Sequence, residues 1–99
     1  MYALSLDLPG MTEEQARAIE LEVGDDTPAG LVAHVAGPYE GGWRIIDVWE
    51  TEKDYEAFAT DVLRPAIAKV AGEEALSSPV VPLTVQGQLE RRGKALASV

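Results

Sequence analysis

Two residues able to do proton chemistry stand among apolar neighbours: His34 in Leu31-Val32-Ala33-His34-Val35-Ala36, and Asp47 in Trp43-Arg44-Ile45-Ile46-Asp47-Val48-Trp49. A carboxylate so placed needs a partner, water or a ligand, because burying an unpaired charge costs several kcal/mol. Facing an imidazole, it would favour the charged ring and raise its pKa, or orient the neutral ring as a general base. Whether the two meet depends on the loop between their strands. If Glu40 and Gly41 are the only turn residues, His34 lies opposite Asp47; a five-residue loop sets His34 beside Ile46 instead. The structural alternatives are a packed strand histidine for His34 and a salt bridge or a solvated face for Asp47. Ser5 and Asp7 raise the same question on another strand.

Trp43, Trp49, Tyr55 and Phe58 form the second constellation. They can line an aromatic pocket between a sheet and the second helix, or serve as core packing and dimer contact, since aromatic side chains dominate both settings. Other signatures are missing. Gly37-Pro38-Tyr39-Glu40-Gly41-Gly42 has no following lysine, and no G-x-G-x-x-G opens a helix, so the segment reads as a turn rather than a phosphate cradle. One histidine and no cysteine cannot build a standard transition-metal site, and Asp25-Asp26 falls short of the oxygen ligands that calcium takes. No serine lies in a G-x-S-x-G elbow. The acidic pairs Glu13-Glu14, Glu20/Glu22 and Glu73-Glu74 read as solvated helix faces and ends.

The elements that must position these groups follow from patterning. Tyr2, Leu4, Leu6 and Leu8 alternate with Ala3, Ser5 and Asp7, the period of a half-buried strand, and Pro9-Gly10 closes it. Thr12 with Gln15 three residues on has the spacing of a capping box, and Ala16, Ile19 and Val23 share one face of the helix that follows, up to Gly24. Leu31 to Ala36 and Trp43 to Glu50 read as strands two and three, joined as a hairpin. Thr51 is the next N-cap, and Tyr55, Phe58, Ala59, Val62, Ala66 and Val70 trace one helical stripe. Pro65 lacks an amide hydrogen and crowds the Asp61 carbonyl, so the spacing predicts a kink or break near Leu63-Arg64. Val80 to Gln86 is a final strand, placed at an edge by Pro82.

The order βαββαβ predicts a ferredoxin-like α+β domain over residues 1–87, with a four-stranded antiparallel sheet, strands one and three central, and both helices on one face. Residues 88–99 read as a tail or an arm over a neighbour. Strand three sets Trp43, Ile45 and Trp49 on one side and Ile46 and Val48 on the other, so the face without helices is apolar too. A second copy packed face to face is the simplest cover.

With 99 residues and 46% hydrophobic content there is room for one domain. Eight basic against seventeen acidic residues give a net charge of -9, which repels phosphate backbones and anionic lipid. Nucleic acid and membranes are therefore not expected partners. Met1 to Asp7 lacks a basic n-region, and no apolar run approaches the ~20 residues of a membrane span, so a soluble cytoplasmic protein is the expectation.

The stretch Asp47-Val48-Trp49-Glu50-Thr51-Glu52 running into Tyr55-Glu56-Ala57-Phe58 resembles the dimeric α+β barrel superfamily. The nearer likeness is to its antibiotic biosynthesis monooxygenase-like members, small bacterial proteins sharing the segment from Gly37-Pro38 to Trp49-Glu50. By element order the resemblance runs from Tyr2 to Gln86. It implies a homodimer of two four-stranded sheets with a cavity between each sheet and its helices, into which Trp49 points. Some such proteins oxidise polycyclic phenols with oxygen and no cofactor, and others degrade haem. The haem-degrading members carry a ligating histidine on the second helix where this chain has Ala59, so the resemblance does not extend to haem.

These readings lead to a homodimer whose pocket, lined by Trp49, Asp47, Tyr55, Phe58 and His34, with Trp43 nearby, takes a small hydrophobic or aromatic molecule. As an enzyme it would carry out a cofactor-independent oxidation, with His34 or Asp47 ionising a phenol. The alternative is a non-enzymatic module that binds a metabolite or a partner. Fold alone does not choose between them.

Overall fold

The alternating N-terminal segment forms strand β1 (Tyr2–Pro9), which sends Leu4, Leu6 and Leu8 into the core. A computed structural model describes residues 1–83; the end of the predicted last strand and the predicted arm 88–99 lie outside the described residues. After the turn at Gly10, Thr12 caps helix α1 (Glu13–Val23). Its hydroxyl accepts from the Gln15 amide at 3.2 Å, and the Gln15 side chain accepts from the Thr12 amide at 3.1 Å, the reciprocal box that the spacing predicts.

Strands β2 (Leu31–Tyr39) and β3 (Gly42–Trp49) pair across a two-residue turn of Glu40 and Gly41. Gly41 supplies the positive φ, +93°, that the turn needs and that a side chain disfavours. Gly42 is required for space: a Cβ there would run into the Leu8 carbonyl and the Pro9 backbone on the neighbouring strand. The sheet order is β2-β3-β1-β4 and every pairing is antiparallel, so β1 and β3 are central as predicted. Strand β4 (Val80–Pro82) pairs only with β1, and Pro82 sits at the sheet edge, where a missing amide hydrogen is tolerated. This is a ferredoxin-like α+β domain.

The second helical arm departs from a single α-helix where Pro65 predicts a break. Helix α2 (Glu52–Phe58), capped by Thr51, widens into one π-helical turn (Ala59–Leu63), in which the Arg64 amide bonds back to the Ala59 carbonyl; helix α3 (Arg64–Ala71) then resumes with Pro65 in its first turn. The extra residue in the wide turn advances everything after it by one position around the axis. The predicted stripe is corrected accordingly. Val62 is only partly covered, while Leu63 and Ile67 are buried and carry the core.

The core lies between the inner sheet face and the helices. It is built on Leu4, Leu6, Ile45, Trp49, Tyr55 and Ile67. The opposite sheet face is open in the single chain, and Val35 (61% exposed), Ile46 (37%) and Val81 (53%) stand on it. At one end of that face Arg44 holds Asp7 with two hydrogen bonds, at 2.6 and 2.9 Å, and its guanidinium lies 4.6 Å from the Tyr39 ring centre. Asp7 is thus held by an ion pair on the outer face, which keeps its carboxyl below the usual carboxylate range, chiefly through that hydrogen bond. No helix among the described residues is long and apolar enough to cross a membrane.

Candidate functional site

The hairpin takes the two-residue register, which places His34 directly across from Asp47. A β-bulge between Leu31 and Ala33 makes Val32 the extra residue, so that Leu31 and His34 both face inward beside Trp49 and Asp47. The His34 Nδ1 lies 2.6 Å from Asp47 Oδ1. A carboxylate has no hydrogen to give, so Nδ1–H donates and Nε2 is left as the nitrogen that can take or release a proton. The second carboxylate oxygen, Oδ2, accepts from the Trp49 indole Nε1–H at 3.2 Å.

Trp49, Asp47 and His34 therefore form one linked array. Asp47 and Trp49 are both buried, at 4% and 0% exposure, whereas the His34 side chain is 46% exposed. No buried side-chain polar atom is left without a partner among the described residues. The hydrogen bond to Asp47 raises the His34 pKa above its ordinary value; partial burial of the ring opposes this, and the charges of Asp47 and Glu20 add to it. An imidazole held in one tautomer by a buried carboxylate, with its basicity raised, is the orienting half of a general-base site.

This array forms part of the wall of a cavity of about 430 Å³ between the sheet and the helices. That volume lies within the range of small-molecule sites. Trp43, Ile45 and Trp49 supply the sheet side; Ile19 and Val23 of α1 and Phe58, Leu63 and Ile67 of the bulged arm supply the helical side. Glu20, Asp25 and Asp26 also line it, from the end of α1 and the loop that follows. The pocket is thus shared by both helical arms, where the sequence pointed to the second alone.

Of the predicted site residues, His34, Asp47, Trp43, Trp49 and Phe58 meet around this space. Tyr55 does not. It lies on the far side of Trp49, ring centres 5.7 Å apart, and borders a separate cavity of about 150 Å³. Its phenol is pushed up, first by burial and then by the Asp47 and Tyr2 charges. Phe58 packs on the Trp49 ring at 5.3 Å and holds it in place. The Trp49 to Asp47 bond had a readable signal, since residues two apart on a strand share a face. The contribution of α1 and its loop was visible only as an apolar stripe.

Among the described residues no group of three or more histidine, cysteine or acidic side chains is placed to hold a metal ion. Fold and site together define a ferredoxin-like α+β domain with an apolar cavity and a carboxylate-oriented histidine in its wall. Comparison with protein-family models and with curated proteins returned no match.

Proposed function

We propose that the cavity binds a small, largely apolar aromatic molecule and that His34, oriented by Asp47, ionises a phenol or an equivalent acidic C–H on it for oxidation by dioxygen without a cofactor. The observation that carries this reading is the Trp49–Asp47–His34 array opening on a cavity of about 430 Å³. In the proposed step Nε2 takes the proton and the resulting anion delivers electrons to dioxygen. The hydroperoxide formed then loses water to leave a quinone, so one oxygen atom enters the product and the other leaves as water. The resemblance to antibiotic biosynthesis monooxygenase-like proteins of the dimeric α+β barrel superfamily supports the same reading.

A homodimer belongs to this proposal. Val35, Ile46 and Val81 leave an apolar sheet face that a second copy would cover, as the barrel arrangement requires. The test of function is a titration with hydroxylated naphthalenes and anthrones, followed by tryptophan fluorescence in the Trp43→Phe and Trp49→Phe backgrounds and by an oxygen electrode with no added metal, flavin or nicotinamide. A planar ligand of about fifteen heavy atoms at roughly 0.3 kcal/mol per atom should bind near or somewhat below a millimolar. Oxygen uptake that disappears in His34→Ala supports catalysis. Saturable quenching without uptake means a binding module, and no quenching across the panel removes the pocket as a site.

A further inference from the structure

The charges around the cavity carry one step beyond its size and shape. Every ionisable side chain lining it is acidic except His34: Glu20 at the end of α1, Asp25 and Asp26 in the loop that follows, and Asp47 in the sheet wall. No lysine or arginine among the described residues lines it. Three acids outside the cavity wall are paired with a base. Glu13 is held by Arg17, Glu22 by Lys69 and Asp7 by Arg44, at 2.9, 3.0 and 2.6 Å. Glu20, Asp25 and Asp26 form no such pair among the described residues, although Glu22 sits only two positions from Glu20. His34 does not offset them, because its Nδ1–H is already committed to Asp47 and the protonated pair is neutral as a unit.

We infer that this cavity selects aromatic molecules that are neutral or carry a positive group, such as an arylalkylamine, and rejects aromatic carboxylates. The inference rests on the reading of the cavity as a site for a small aromatic molecule. The ring system packs against Trp43, Trp49 and Phe58, and a cationic substituent lies in the field of the Glu20, Asp25 and Asp26 carboxylates that line the cavity. Glu20 also favours the imidazolium formed when Nε2 takes a proton, a smaller effect on His34 than its hydrogen bond to Asp47. At about 8 Å through water-like surroundings each carboxylate changes affinity for a unit charge roughly twofold, so the three together contribute of order tenfold, and more between a cation and an anion.

Three isosteric probes test this on the full chain: 2-naphthylmethylamine, 2-naphthylmethanol and 2-naphthoate, titrated while the two indole N–H signals are followed by NMR. At 20 mM salt the expected order is amine tightest, alcohol intermediate and carboxylate weakest, with the amine at least about tenfold tighter than the carboxylate and the gap closing at 0.5 M salt. In Glu20→Gln/Asp25→Asn/Asp26→Asn, three exposed positions whose exchange leaves the core untouched, the amine to carboxylate ratio falls at least about tenfold, since the attraction of the amine and the repulsion of the carboxylate are both lost. Alcohol binding with a carboxylate as tight as the amine, or a ratio unchanged in the triple variant, overturns the charge selection alone. An alcohol that leaves the Trp49 indole signal unmoved overturns the cavity reading and this inference with it.

Discussion

Replacing Asp47 with Asn is the most discriminating perturbation of the array, because it keeps the shape and changes two things at once. The first is charge. With Nδ1 and Oδ1 2.6 Å apart, the charge centres are about 4 Å apart, where a pair interacts by about 1 kcal/mol in water and about 4 kcal/mol at an effective dielectric of 20. The His34 side chain is 46% exposed, which places it toward the water end. A loss of about 1.4 kcal/mol lowers the His34 pKa by about one unit. The second change is the tautomer. In Asp47→Asn the side-chain carbonyl still accepts from the Trp49 indole, so the new amide group faces His34 and donates to Nδ1, which must then be the unprotonated nitrogen. The proton moves to Nε2, and the atom facing the ligand loses its lone pair.

Two-dimensional ¹⁵N NMR of the single histidine reads both effects. The wild type should show Nδ1–H when neutral and a midpoint above that of an exposed histidine; Asp47→Asn should show Nε2–H and a midpoint about one unit lower. Stability should follow with a definite sign. Because the folded pKa of His34 lies above the unfolded value of about 6.5, the protonated pair contributes fully below that pH, and its contribution is lost as pH rises through the folded midpoint. That slope should flatten in the variant. An unchanged midpoint together with an unchanged tautomer would refute the claim that Asp47 sets the chemistry of His34.

Further predictions concern the supports of the site. Trp49→Phe removes the indole donor from Asp47 and part of a fully buried ring, and should lower unfolding free energy by about 3 kcal/mol in urea titration; a loss under about 1 kcal/mol would mean that the Asp47 to Trp49 bond contributes little. Gly42→Ala drives a methyl group into the Leu8 carbonyl and should be destabilising by about 1 to 3 kcal/mol, read as an earlier denaturation midpoint with an unchanged slope. If the open sheet face is a dimer contact, light scattering at micromolar concentration should report a dimer, and Ile46→Lys or Val35→Lys should convert it to a monomer with fold retained by circular dichroism. A wild-type monomer without concentration dependence would remove the barrel.

The fold was legible because its signals are local. Alternation in Tyr2 to Leu8, the Thr12/Gln15 box, Thr51 before its helix and Pro82 near the end each specify a structure within a few residues. The His34 and Asp47 pairing was legible only conditionally, since it turns on whether the loop holds two residues or five, and that depends on Gly41 adopting a positive φ. One feature escaped, and a second was legible only as a break near Pro65, for a physical reason. A bulge at Val32 and a π turn at Ala59–Leu63 each insert one residue into a periodic element, and a period read along the chain does not show where it slips. Both slips set cavity residues: the bulge turns Leu31 inward, and the π turn exchanges Val62 for Leu63.

Asp47 is the one buried charged side chain among the described residues. The positions beside it on the inner face hold Ile45 and Trp49, and exchanging the whole Trp49–Asp47–His34 array for well-packed apolar side chains would give a core of comparable stability, since such replacements of buried polar networks are often neutral or stabilising. Folding alone does not call for a carboxylate there. It is nonetheless fully engaged, with one oxygen on Trp49 and the other on a histidine that keeps its second nitrogen free in the wall of the cavity. The geometry is held from three directions: the Glu40-Gly41 turn fixes register, the Val32 bulge accompanies the inward turn of β2, and Phe58 fixes the Trp49 ring. Constraints of that number on a group the core could do without are accounted for when His34 meets something that enters the cavity.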